Sequence, residues 1–344
     1  MTRTTRRGAR RRRLGATVAA ALTVVATGAA GATGATAAAE STVAADGTGD
    51  FTTIQEAVDA VPADNASEHV ITIEPGTYRE RVLVDKPNVA LVGAGSAEDV
   101  VIVEGVSAGE GGSHRDSATV HVTGEGFRAD NVTFENDHDE SASEEGNQAL
   151  ALYLEADRAV IDDSRVIGDQ DTFMIDDPTR AYVSDSYIEG TVDFIYGEGT
   201  AVFHRCDIYE KRQQGGPITA ARTAAGTKYG LLFYRSHVTG ATDGTTQLGR
   251  PWGPDGQVLF RESELSATID TDQPWIDMSG NDWREARFLE YRNTGAGATV
   301  NGNRAQLPDD QADEYTPEKY LAGSDGWDPV DRSGESAGGT TAAG

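Results

Sequence analysis

The chain has 344 residues, with 56 Asp and Glu against 29 Lys and Arg, a formal net charge of −27 and one cysteine, Cys206. That acidity argues against nucleic acid as a partner, and a lone cysteine excludes an intrachain disulfide. The length suffices for one sizeable domain with a real core, and a solenoid of this size need not split.

Residues 1–13 carry seven arginines and no acid; Leu14 to Ala30 are small and apolar, and an Ala/Gly/Thr stretch ends in Ala37-Ala38-Ala39. This is the three-part pattern of an export signal, cleaved near Ala39 or at Ala37, by the twin-arginine or the general route. The apolar run falls short of the ~20 strongly apolar residues of a membrane span. Loss of the seven arginines takes the net charge from −27 to −34. The expected product is secreted and extracellular, free of the membrane once the signal is removed. A pro-region is not expected, because only the signal lies ahead of residue 40.

Thr52 or Thr53 can cap a helix in which Ile54, Ala57, Val58 and Val61 recur at helical spacing, ended by Pro62. This short helix is expected to close the N-terminal end of the fold and cover an exposed strand edge. HVITIEPGTYRERVLVDKPNVALVGAG reads as three strands, with turns at Gly76 and Pro87. Residues 135–145 form an acidic loop around His138 that is expected to be solvated; its carboxylate spacing matches no trusted metal loop. Gln148 then opens an apolar strand.

From there a repeat dominates. Aligning six segments on Phe127, Ala159, Ala181, Ala201, Leu231 and Val258 brings Ala129, Ile161, Val183, Phe203, Phe233 and Phe260 together two residues later. Phe134, Val166, Ile188, Ile208, Val238 and Leu265 coincide seven residues later. Strands recurring at this period, between Gly, Asp and Ser clusters, signal an all-β solenoid, simplest as a right-handed parallel β-helix. Asp171 and Asp193 fall twelve residues after Ala159 and Ala181, on consecutive turns. Neighbouring strands lie ~4.8 Å apart, so the two carboxylates should approach and one should hold a proton at a raised pKa. Such a pair divides into an acid and a nucleophile or base; the alternative is a solvated Asp ladder. Gln148 and Gln170, 22 residues apart, can aim amide N–H groups at the pair, as an oxyanion site requires, or can form an internal amide ladder.

Cys206 follows Phe203 in a repeat and is expected in the core. LGRPWGP places Arg250 where it can pair with an aspartate, and Trp252 where its face can stack on a sugar. QPWIDMSG, with Trp275 and Met278, can wall the same cleft. Trp283 to Leu289 reads as a strand, TPEKYL as a C-terminal capping helix or turn, and residues 331–344 as a disordered tail. The domain therefore spans residues 40–330.

GTYRE, NQALALY, GDQDTF, GTVDFIYG and LGRPWGP together resemble the pectin methylesterase (pectinesterase) family, in family order over roughly residues 43–330. The resemblance implies a right-handed parallel β-helix that hydrolyses C6 methyl esters of polygalacturonate and releases methanol, with no metal or organic cofactor. It implies Asp193 as nucleophile, Asp171 as acid and base, Gln148 and Gln170 as oxyanion donors, and Arg250 as the partner that orients and ionises the nucleophile. Trp252 and Trp275 correspond to the aromatic substrate platform. Methyl-esterified homogalacturonan is the implied partner, met by a monomer.

Departures from the pattern are specific. Met174 follows QDTF where Tyr is frequent, replacing an aromatic wall, and Tyr196 stands where Phe is common; both are expected to contact substrate. Ser186 replaces the first of two common cysteines, which removes that disulfide. Asp169 adds negative charge beside Gln170. An acidic protein repels demethylated product, which favours highly esterified pectin. Two rival readings are a β-helical polygalacturonase or lyase, since paired carboxylates also cleave glycosidic bonds, and a non-catalytic pectin-binding protein.

Overall fold

The computed structural model describes residues 39–142 and 145–330. The expected export signal, apart from Ala39, and the expected tail lie outside the described residues. Among the described residues, parallel strands stack into three sheets of ten, eight and seven strands. One turn contributes Phe173–Ile175 to the seven-stranded sheet, Arg180–Ser184 to the ten-stranded sheet and Tyr187–Gly190 to the eight-stranded sheet. The chain is a parallel β-helix.

The register follows the sequence repeat. Ala159, Ala181, Ala201, Leu231 and Val258 pair in series along the ten-stranded sheet. Phe134, Val166, Ile188, Ile208, Val238 and Leu265 do so along the eight-stranded sheet. Alternation along each strand sends Phe203, Phe233 and Phe260 inward, where their rings stack at centroid separations of 4.8 and 4.3 Å. Apolar side chains from all three sheets join one continuous buried cluster along the stack, each turn packing on its neighbours as in a solenoid.

The corner between the ten- and eight-stranded sheets repeats its chemistry on successive turns. Asn131, Asp163, Asp185, Arg205, Arg235, Glu262 and Arg292 all adopt left-handed φ, between 43° and 56°. The residue after each bends into the next sheet. There the Ser164 N–H donates to Ser186 Oγ at 3.1 Å, Cys206 N–H to Ser236 Oγ at 3.1 Å, and Ser236 N–H to Ser263 Oγ at 3.1 Å. Cys206 occupies one rung of this ladder, fully buried, and burial pushes its thiol up to about 12, as expected of an inert core cysteine. Ser186 and Cys206 immediately precede the paired residues Tyr187 and Asp207, so they occupy the same corner position on adjacent turns.

At the N-terminal end, Thr53 caps the helix Ile54–Ala60, its hydroxyl accepting from the Glu56 N–H. The Glu80 carboxylate accepts from the Ile54 and Gln55 N–H groups at 2.9 and 3.0 Å, satisfying two more donors of the first turn. Ile54, Ala57 and Val58 face the core.

Three expectations are corrected. His69 to Gly93 gives four strands, because the chain turns a corner at Glu80-Arg81 and sends Gly76–Arg79 and Val82–Val84 to different sheets. The late strand is Arg287–Tyr291; Trp283 is held in the preceding turn by its N–H donating to Asp277 Oδ1 at 3.0 Å. The helix Pro317–Leu321, capped by Thr316, does not close the end of the solenoid. It lays Tyr320 and Leu321 on the outer face of the ten-stranded sheet, against Tyr182, Val202 and Leu232. Those outward residues are apolar and need that cover.

Candidate active site

The outer face of the seven-stranded sheet carries a different column. Tyr153, Met174, Tyr196, Ala220 and Arg250 are paired neighbours on five successive strands. The first four belong to a small apolar cluster separate from the interior core, with Trp252 and Met278 packed against it. This cluster is the floor of a cleft of about 330 Å³.

The two aspartates enter the cleft from the loops ahead of two of these strands. Phe173 pairs with Ile195, which sets Asp171 and Asp193 at equivalent positions, and the Asp171 N–H donates to the Val192 carbonyl at 3.1 Å. Both residues are left-handed, with φ of 64° and 52°, a conformation aspartate tolerates better than most side chains. Gly190 is required nearby: a Cβ there would lie 2.2 Å from Phe194 Cβ.

Gln148, Gln170, Asp171, Asp193, Arg250 and Trp252 all line the cleft. The two glutamines are not register mates, however. Leu152 pairs with Phe173, an offset of 21 residues, so Gln148 stands one position out of step with Gln170, whose carbonyl accepts from the Ala149 N–H at 3.0 Å. Tyr196 and Met278 line the cleft as well.

Two expected substrate contacts are corrected. Trp275 is fully buried inside the β-helix, stacked on Phe288 at 4.6 Å. Its bridge to Gly249 points the ring into the core, and Met278, three residues on, faces the cleft instead. Met174 is also fully buried, packed within the floor between its strand neighbours Tyr153 and Tyr196, and supports the cleft without offering surface.

The carboxylates differ in surroundings. Arg250 donates to both oxygens of Asp193, Nε to Oδ1 at 2.8 Å and Nη2 to Oδ2 at 2.6 Å. Burial pushes Asp193 up, and the guanidinium pulls it back. Asp171 is held well above the usual carboxylate range, first by burial and then by the negative charge of Asp193; Arg250, the Gln170 amide and the Tyr196 hydroxyl oppose this more weakly. Of the two carboxyls, Asp171 is therefore the one pushed up further, while Asp193 has a cation holding it back.

The acidic loop braces both approaches. Glu140 N–H donates to Asp169 Oδ2 at 3.1 Å, and the Thr191 hydroxyl donates to Glu140 Oε2 at 2.7 Å. Asp169 and Thr191 each stand two residues ahead of an aspartate of the pair. Asp169 does not burden the site with charge, because Lys211 Nζ lies 2.6 Å from it.

Sequence reasoning missed His114. Its ring lines the cleft 6.2 Å from that of Tyr196 and 6.3 Å from that of Trp252. Burial and the adjacent Arg115 push the imidazole down, which keeps it neutral near pH 7. GGSHRDS has no periodicity and no spacing to any other site residue, so nothing in it singled out the histidine.

Among the described residues, no group of three or more His, Cys, Asp and Glu is placed to hold a metal ion, and no helix is long and apolar enough to cross a membrane.

Fold and site together define a β-helical protein with a carboxylate pair in an open cleft. The pectinesterase family profile matches residues 40–324. Pectinesterase 31 of Arabidopsis thaliana is 34% identical over 293 residues, covering 80% of this chain and 90% of its own. The pectin methylesterase from carrot superposes with a TM-score of 0.77 at 29% identity, covering 84% of this chain and 95% of that one. A pectin methylesterase in complex with a hexasaccharide gives 0.74 at 31% identity, covering 84% and 98%. The chain belongs to the pectinesterase family.

Proposed function

We propose that this protein is a pectin methylesterase that hydrolyses the C6 methyl esters of polygalacturonate and releases methanol. One observation carries the assignment of roles: two carboxylates share a cleft, and Arg250 clamps only Asp193. That asymmetry gives one ionised and one protonated carboxyl at the same pH.

Asp193 attacks the ester carbonyl carbon. Gln148 and Gln170 donate to the oxyanion that develops. The bond to the methoxy oxygen breaks, and that oxygen takes the Asp171 proton to leave as methanol. Water then attacks the acyl carbon, gives its proton to Asp171, and the bond to Asp193 breaks, freeing the acid. Trp252 and the Tyr196 ring form the face on which a sugar rests, with Met278 beside them. The protein acts outside the cell as a monomer, exported on the signal expected in residues 1–39.

Methanol and new reducing ends are counted in parallel on highly methylated pectin. Methanol without reducing ends is the expected result. Reducing ends would move the assignment to glycosidic cleavage, and neither product would leave a pectin-binding protein.

A further inference from the structure

The Tyr196 hydroxyl is an anomaly. The side chain is 3% exposed and lines the cleft, yet its oxygen is buried with no hydrogen-bond partner. Buried hydroxyls are nearly always paired, and an unpaired one destabilises the fold. The apolar surroundings, Met174 and the edge of Trp252 at a centroid distance of 5.8 Å, would suit a phenylalanine equally well. So the ring explains itself by packing, and the oxygen does not.

What the hydroxyl faces is informative. Tyr196 and Asp171 line the same cleft, and the hydroxyl opposes the rise in the Asp171 pKa, yet it makes no hydrogen bond of full geometry to a protein group. A small oxygen-bearing molecule beside Asp171 would be within reach of both. We propose that the Tyr196 hydroxyl is a further catalytic group, the hydrogen-bond donor to the hydroxylic molecule exchanged at Asp171: methanol as it leaves and water as it enters. This rests on the esterase reading and adds a residue to it.

The chemistry balances without a new reactant. In the first step the departing methoxy oxygen takes its proton from Asp171 while accepting a hydrogen bond from Tyr196. In the second, the water oxygen accepts from Tyr196 while its own proton passes to Asp171 and its lone pair forms the bond to the acyl carbon. Tyr196 keeps its proton throughout; burial holds the phenol well above its ordinary pKa.

Tyr196→Phe removes one atom and keeps the ring. The expected result is a kcat lower by about tenfold, the worth of one hydrogen bond to a reacting oxygen, with KM unchanged or lower. The same variant should melt at the wild-type temperature or above, since an unpaired hydroxyl is lost. A kcat within twofold of wild type overturns the proposal. A raised KM at unchanged kcat also overturns it, and assigns the hydroxyl to a sugar hydroxyl of the substrate. A lower melting temperature overturns it too, by showing that the oxygen has a structural partner. Wild-type methanol release is measured first, so that failure of the esterase reading is separated from failure of this one.

Discussion

Arg250 grips both oxygens of Asp193, across 57 residues of sequence, at 2.8 and 2.6 Å. Arg250 stands on the strand Gln247–Pro251 and Asp193 in the loop ahead of the strand Ile195–Gly197, and Asp193 is 4% exposed. A planar fork matches a carboxylate in a way an ammonium cannot.

Arg250→Lys keeps the charge and loses the fork. It should lower kcat/KM on the order of 100-fold, by misorienting the nucleophile and leaving its second oxygen unpaired. The acidic limb of the pH profile should move to higher pH, because Asp193 is then less well held ionised. An unchanged limb in a steady-state pH series would remove Arg250 from that role.

The proposed mechanism requires Asp171 to begin protonated and Asp193 ionised. Activity should fall as pH drops through the Asp193 pKa and fall again as pH rises through the raised Asp171 pKa, giving a bell. The stability sign follows from the same shift. A carboxyl raised by folding binds its proton more tightly in the folded state, so its contribution is complete at low pH and is lost as pH rises through the folded value. Asp171→Asn should therefore be inactive but melt above wild type at pH 8, with the difference closing toward pH 4. Melting curves at the two pH values check this.

Glu210 is a second, structural example. It is fully buried; its oxygens accept from the Arg212 N–H at 2.7 Å and the Thr246 hydroxyl at 3.4 Å, and burial pushes it up to about 7. The stability it contributes is present below its ordinary value of 4.5 and is lost as pH rises through about 7. Glu210→Gln should flatten the decline in melting temperature between pH 5 and pH 8 without changing kcat.

The fold was legible because the interior repeats. Ala159, Ala181 and Ala201 announce their pairing through spacing alone, and so do Asp171 and Asp193. Residues whose position depends on a bend were less legible. Trp275 looked like Trp252 in sequence, both aromatic in a glycine- and proline-rich turn, and only the bridge to Gly249 sends one ring inward. Met174 looked like a wall because its neighbours are site residues, and alternation does put it on the cleft side of the sheet, but Tyr153 and Tyr196 pack over it and leave it no surface. TPEKYL was legible only as a helix or turn, while the packing of Pro317–Leu321 on the sheet's outer face depended on Tyr182, Val202 and Leu232, which are far away in sequence.

Charge should set substrate preference. The chain carries −27 overall, and cations near the cleft are spoken for: Arg115 pairs with Asp176 at 2.7 Å and Arg222 with Glu198 at 3.0 Å. Highly esterified pectin should be turned over faster than low-ester pectin at low salt, and the ratio should shrink as salt screens the repulsion. Equal rates at low salt would contradict this.

The central claim is that Asp193 forms the bond to the acyl carbon. The most direct measurement is methanol release by Asp193→Ala, with its melting curve recorded beside that of wild type. The account predicts a folded variant with methanol release at the blank rate. A folded variant that still releases methanol at a substantial fraction of the wild-type rate would contradict it.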